Sequence, residues 1–265
     1  MGLFQKKSAF ERELDRLEKQ EARFLSARAA KQETYLNRLL EEKVPKKLQE
    51  TLDAAFSKAF SLIFEKGTTV IEKTYKREEI EKNFLVNEYS AELRNDRKAL
   101  RAFSKAAGKT GTKNLLMSGA AGMGMGLLGI GIPDIPVFTG LMLKNIYEIA
   151  MNFGYEYDSD KERYFILLLI QGAVSYGEKM LQIDAEVNSY IDTGIYPADY
   201  DKEQMIDAAA ACLSKELLYM KFLQGIPIVG VVGGAYDVVY IRRITEYAEL
   251  KYRRRFYKDK KAVIG

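Results

Sequence analysis

The chain has 265 residues with one cysteine, no histidine, no tryptophan and a net charge of +4. The missing histidine removes serine–histidine and cysteine–histidine nucleophile pairs, histidine-ligated zinc and the usual general base near neutral pH. Cys212 alone makes neither an intrachain disulfide nor a cysteine-rich zinc site, so any catalysis would rest on carboxylates, Lys, Tyr or a hard metal held by carboxylates.

Residues 5–42 are charge-rich and nearly free of Gly and Pro. They predict a helix with a thin apolar stripe through Leu14, Leu17, Phe24, Leu25, Leu36, Leu39 and Leu40. Glu21 and Arg28 interrupt the seam a coiled coil would need, and Val44-Pro45 ends the helix. The N-terminus has no apolar signal-peptide core, and Lys6 breaks the myristoylation pattern, so the chain reads as cytoplasmic. From 46 to 65, Leu48, Leu52, Phe56, Ala59 and Ile63 recur at helical spacing. Residues 70–106 predict further helix with a drifting apolar phase, and Gly108 to Gly111 is a linker.

The most apolar stretch follows. Between Lys113 and Lys144 the only charge is Asp134, six glycines fall from Gly119 to Gly131, and Pro133 and Pro136 bracket the aspartate. Gly154 is placed to cap the helix that ends there, and Ser159 with Glu162 fits a capping box for the next. Residues 164–174 are apolar on every face, which suits a core centre or a bilayer, although they are too few to span one. Tyr190 to Tyr200 predicts a loop. Asp199 or Asp201 then caps a helix carrying Met205, Ile206, Ala209, Cys212, Leu213, Leu217 and Met220. Residues 222–241 return to the apolar theme with Asp237 as one more lone acid. The last helix, to about Lys258, places Ile241, Ile244, Ala248 and Tyr252 on one side and Arg253, Arg254 and Arg255 on the other. No segment alternates as a strand does, and the fold class is all-α, a multi-helix bundle.

Charge is partitioned along this order. Residues 1–113 carry a net +7, residues 114–241 a net −9 and residues 242–265 a net +6. Basic flanks around an apolar middle suit an anionic membrane surface, and long solvated helices produce the same excess of Lys and Arg.

The two apolar stretches also echo each other. Gly131-Ile132-Pro133 answers Gly225-Ile226-Pro227, Gly140 answers Gly234, and Ile146 to Ala150 answers Ile244 to Ala248. Each holds a small-xxx-small pair, Gly122 with Gly126 and Gly230 with Gly234, which lets two helix backbones approach closely in lipid or in a protein core. The echo would make two Gly-rich helical hairpins, pseudo-symmetric and packed on each other.

L-G-I-G-I-P-D-I-P at 128–136, I-Y-E-I-A at 146–150, F-G-Y-E at 153–156, E-R-Y at 162–164 and I-P-I-V-G-V-V-G-G-A-Y at 226–236 resemble the bacterial EcsC protein family. The resemblance runs from about residue 50. It implies a helical domain over 46–265, preceded by the charged helix of 1–45. The family's founding member is encoded beside an ABC transporter, which implies an accessory role to a membrane transport system. Its biochemical activity is unassigned, and no catalytic residue carries over.

The remaining motifs are weak. Gly124 to Gly129 spells G-x-G-x-x-G without the strand a dinucleotide site needs, and Gly108-Lys109-Thr110 lacks the first glycine of a phosphate loop. Asp158, Asp160 and Glu162 suit a helix N-terminus better than a metal. Asp134 reads as the cap of the helix beginning near Pro136. Asp237 needs a cationic partner from another helix, and the two acids are a candidate functional pair. Arg253, Arg254 and Arg255, interleaved with aromatics, suit an anionic surface. The leading expectation is a membrane-associated protein that is not an enzyme, peripheral on the inner face of the cell membrane. Its partners would be anionic lipid or a membrane protein complex, not nucleic acid, with no cofactor and no bound metal. The alternatives are a soluble helical protein with a pocket for an apolar, lipid-like ligand, and a carboxylate-dependent hydrolase using Asp134, Asp237 or the 158–162 acids.

Overall fold

The computed structural model describes residues 8–29, 44, 46–66, 134–223 and 235–264. Within them lie seven helices and no strand: α1 (Ala9–Ala29), α2 (Lys46–Lys66), α3 (Asp134–Asn152), α4 (Asp160–Val174), α5 (Gly177–Thr193), α6 (Lys202–Leu223) and α7 (Ala235–Ile264). The all-α expectation holds. Residues 30–43, 67–133 and 224–234 lie outside the described residues. With them go the hairpin glycines Gly122, Gly126, Gly230 and Gly234, and the Gly-Ile-Pro turns of the echo.

Local chemistry sets the ends. Ser8 and Glu11 form a reciprocal capping box, the Glu11 amide donating to Ser8 Oγ at 3.1 Å and the Ser8 amide to Glu11 Oε2 at 2.7 Å. Asp201, not Asp199, caps α6, accepting from the Gln204 amide at 3.1 Å. Gly154 (φ 82°) closes α3 with a Schellman pair, its amide reaching Met151 O and that of Tyr155 reaching Ala150 O. The loop expected from Tyr190 begins later. α5 continues to Thr193 and Gly194 ends it in the left-handed region, so Tyr190 is a buried helix residue.

α4 is the centre of the core, with every residue from Tyr164 to Val174 buried. Apolar on all faces, it is covered by α5, α6 and α7. α2 buries Leu52, Phe56, Ala59 and Ile63, as their spacing predicts, together with Phe60 and Phe64. It lies on α6 and α3, where Phe56 meets Phe138 edge-on at 6.2 Å.

Side-chain pairs give the directions. α7 runs antiparallel to α1, with Phe10 against Tyr257 and Phe24 against Tyr247. It is also antiparallel to α4, with Glu162 at Arg255 and Gly172 at Tyr247. It runs parallel to α5, with Tyr176 at Arg243 and Asn188 at Lys251. It is parallel to α3 too, whose end brings Phe153 onto Phe256. α2 lies antiparallel to α6, with Gln49 at Ser214 and Ser57 at Asp207. α3 and α7 therefore begin, and α6 ends, at one end of the bundle, here the proximal end. The two uncharged Gly-rich stretches, 114–133 and 224–234, join the bundle there.

Candidate functional site

Three of the pairs that α7 makes between a tyrosine and a cation three or four residues on face the core: Tyr240 with Arg243, Tyr247 with Lys251, and Tyr252 with Arg255. Each pair meets one buried carboxylate, and each carboxylate comes from a different helix. Glu216 of α6 accepts from Tyr240 Oη at 2.9 Å and lies 3.9 Å from Arg243. Asp184 of α5 accepts from Tyr247 Oη at 2.7 Å and Lys251 Nζ at 2.8 Å. Glu162 of α4 accepts from Tyr252 Oη at 2.6 Å and from Arg255 at 2.8 and 3.0 Å. Helical spacing places both donors of a pair on one face of α7, where a single acid can bind them together.

The middle cluster is the largest. Lys251 is 1% exposed, and its ammonium also meets Glu21 Oε1 at 3.0 Å and Asn188 Oδ1 at 2.9 Å. The second oxygen of Glu21 accepts from Arg254 at 2.7 Å. In the third cluster the Arg255 guanidinium lies 4.0 Å over the Tyr155 ring and also faces Phe165 and Tyr190.

These surroundings fix protonation. Burial, with Glu216 second, pushes the Tyr240 phenol well above its ordinary value. Burial followed by the neighbouring carboxylate does the same for Tyr247 and Tyr252. Tyr176, beside Glu216, is pushed up to about 12, mainly by burial. The phenols stay protonated and donate, and the carboxylates accept. The arrangement locks helices together and holds no phenol poised to release a proton near neutral pH.

The basic run sits inside this system. Arg255 binds Glu162, Arg254 binds Glu21, and Arg253 binds Glu249 and Gln20. Each of the three arginines thus faces a carboxylate of the chain itself. Ser159 caps α4 by accepting from the Glu162 amide at 3.2 Å, but the Glu162 carboxylate turns to Tyr252 and Arg255. Only half of the expected capping box forms, because two charge-assisted partners outcompete a surface amide. Glu162 thereby leaves the exposed Asp158 and Asp160, and among the described residues no three metal-ligating groups converge. Asp134 is the first residue of α3 and Asp237 lies in the first turn of α7. Their side chains fall outside the described part of the structure, so the proposed acidic pair does too.

Glu21, Asp184, Glu216 and Lys251 are missing from the sequence-derived site. The recurring tyrosine–cation spacing on α7 was a readable signal. The acids were not readable, since each is one of many and is chosen only by tertiary packing. Among the described residues no helix is long and apolar enough to cross a membrane.

The model of the EcsC protein family matches residues 8–256. The match takes in α1, ahead of the start near residue 50 that the resemblance implied, and α1 packs against α5 and α7. No curated protein and no solved structure matches the chain significantly.

Proposed function

The chain belongs to the EcsC protein family, and from that premise we propose that it is a membrane-associated helical protein, accessory to a membrane transport system rather than an enzyme. It would act on the cytoplasmic face of the membrane. The observation that carries the reading is the shared origin of the two apolar stretches. Residues 114–133 lead into α3, residues 224–234 join α6 to α7, and all three helix ends lie at the proximal end. A bundle whose uncharged segments all attach at one end is suited to stand on a bilayer with that end down. The accessory role follows what the family resemblance implies. Of the 158–162 acids that the hydrolase alternative would use, Glu162 is turned into the bundle toward Arg255.

Fractionation of expressing cells tests this. The protein is expected in the membrane pellet at low salt, to stay there in high salt, and to be released by alkaline carbonate. Recovery entirely in the soluble fraction at low salt would overturn the reading.

A further inference from the structure

The proximal end is ringed by basic side chains from four helices. Arg28 closes α1, Lys46 and Lys47 open α2, Lys179 opens α5 and Arg242 lies on α7. They share one level. Arg28 lies close enough to Arg243 for the two charges to repel, Arg243 reaches Tyr176, Lys179 Nζ lies 3.2 Å from Cys212 Sγ, and Gln49 binds Ser214. Lys46, Lys47, Lys179 and Arg242 are exposed, and the half-buried Arg28 donates to Phe24 O at 3.0 Å while its buried Nε has no hydrogen-bond partner among the described residues. Exposed Glu50, Glu178 and Glu246 lie at the same level and are outnumbered.

α7 begins eight residues before Arg243, so its first turns stand about 12 Å beyond this ring at the rise of an α-helix. α6 projects alongside, since Glu216 meets Tyr240 and the helix continues to Leu223. Val239 on the projecting part of α7 is 44% exposed. The interhelix loops and adjoining helix ends at the opposite end are rich in acid instead, with Glu156, Asp158, Asp160, Asp192, Asp199 and Glu203 exposed beside an exposed Lys161. The tail of α7 adds Lys258, Lys260 and Lys261 there.

We infer that the collar of Arg28, Lys46, Lys47, Lys179 and Arg242 seats the protein on the anionic headgroups of a bilayer, with the ends of α6 and α7 directed into it. The inference rests on the membrane reading above and adds to it the docking face, the lipid class and the orientation. Headgroup anions add counter-charge to a collar whose cations outnumber the acids at its level among the described residues, and the acid-rich opposite end faces away from a surface that would repel it.

Flotation of the full chain tests it, with vesicles of phosphatidylcholine alone and with about a third phosphatidylserine added. Wild type should prefer the anionic vesicles. Lys46→Glu/Lys47→Glu/Lys179→Glu/Arg242→Glu should weaken that binding about tenfold or more, and the matching Gln variant should weaken it less. Lys260→Glu/Lys261→Glu, at the opposite end, should bind as wild type. Far-ultraviolet circular dichroism checks that each variant is folded. Unchanged binding by the folded collar variants, or loss only in the Lys260/Lys261 variant, overturns the inference. Equal binding of wild type to both vesicles also overturns it while leaving the membrane reading intact. No binding to either vesicle removes both.

Discussion

At the scale of single residues, Lys251 carries the most consequence. Its ammonium is almost fully buried and touches carboxylates from α1 and α5. Taking such charges out of water is costly, and their mutual attraction offsets the cost only while the set is complete. Lys251→Met should therefore destabilise the protein by about 3–5 kcal/mol, measured by urea unfolding. Adding Glu21→Gln and Asp184→Asn should recover most of the loss, because the stranded charges are then gone. A Lys251→Met protein within about 1 kcal/mol of wild type would show that the cluster is not closed as described. The sequence alone did not single out Lys251. A lysine in a charged helix gives no sign of being buried until the helices that cover it are placed.

At the scale of helices, one close approach falls at a glycine outside the small-residue pairs of the sequence. Gly172, inside the all-apolar segment, is where a helix comes too close for a side chain. A Cβ there would lie 2.8 Å from Tyr247 Cε1 and 3.3 Å from Ile183 Cγ2. The Tyr247 ring has little room to move, being stacked on Phe24 at 5.1 Å and bonded to Asp184. Gly172→Ala should cost about 1–3 kcal/mol through overpacking. Gly140→Ala adds its methyl to open space and should gain up to about 1 kcal/mol from helix propensity. Thermal melts of the pair decide, and equal melting temperatures would refute the close approach. Helix type and core faces were legible in α2 and α4, because the period of apolar residues reports them directly, whereas α5 was not among the predicted helices and its last turn fell in a predicted loop. The flank of Gly172 that meets Tyr247 was not, because that contact joins residues 75 apart in sequence.

At the scale of the whole molecule, the tyrosines set an alkaline limit. Tyr176, Tyr190 and Tyr200 are each raised to about 12, and Tyr155, Tyr240, Tyr247 and Tyr252 are also raised, in every case chiefly by burial. A phenol whose folded pKa lies above its unfolded value of about 10 contributes stability that is fully present below that value. The contribution is lost as pH rises through the folded pKa. Stability should hold up to about pH 9 and fall between about 10 and 12. Phenolate absorbance should appear together with loss of helical circular dichroism. Phenolate formation well below the unfolding transition would contradict the buried bonds. The tyrosine count was plain in the sequence, but their role depends on carboxylates supplied by three other helices.

The three acids on α4, α5 and α6 depend for their counter-charges on one helix that follows them all in the chain. During synthesis those acids emerge from the ribosome before Arg243, Lys251 and Arg255 exist. An early subset of the described helices would bury them without these counter-charges, at a cost, so the bundle is expected to stay open until α7 is complete. Nascent chains arrested before Tyr240 should accordingly be protease-sensitive, with protection arriving in one step once α7 has cleared the exit tunnel.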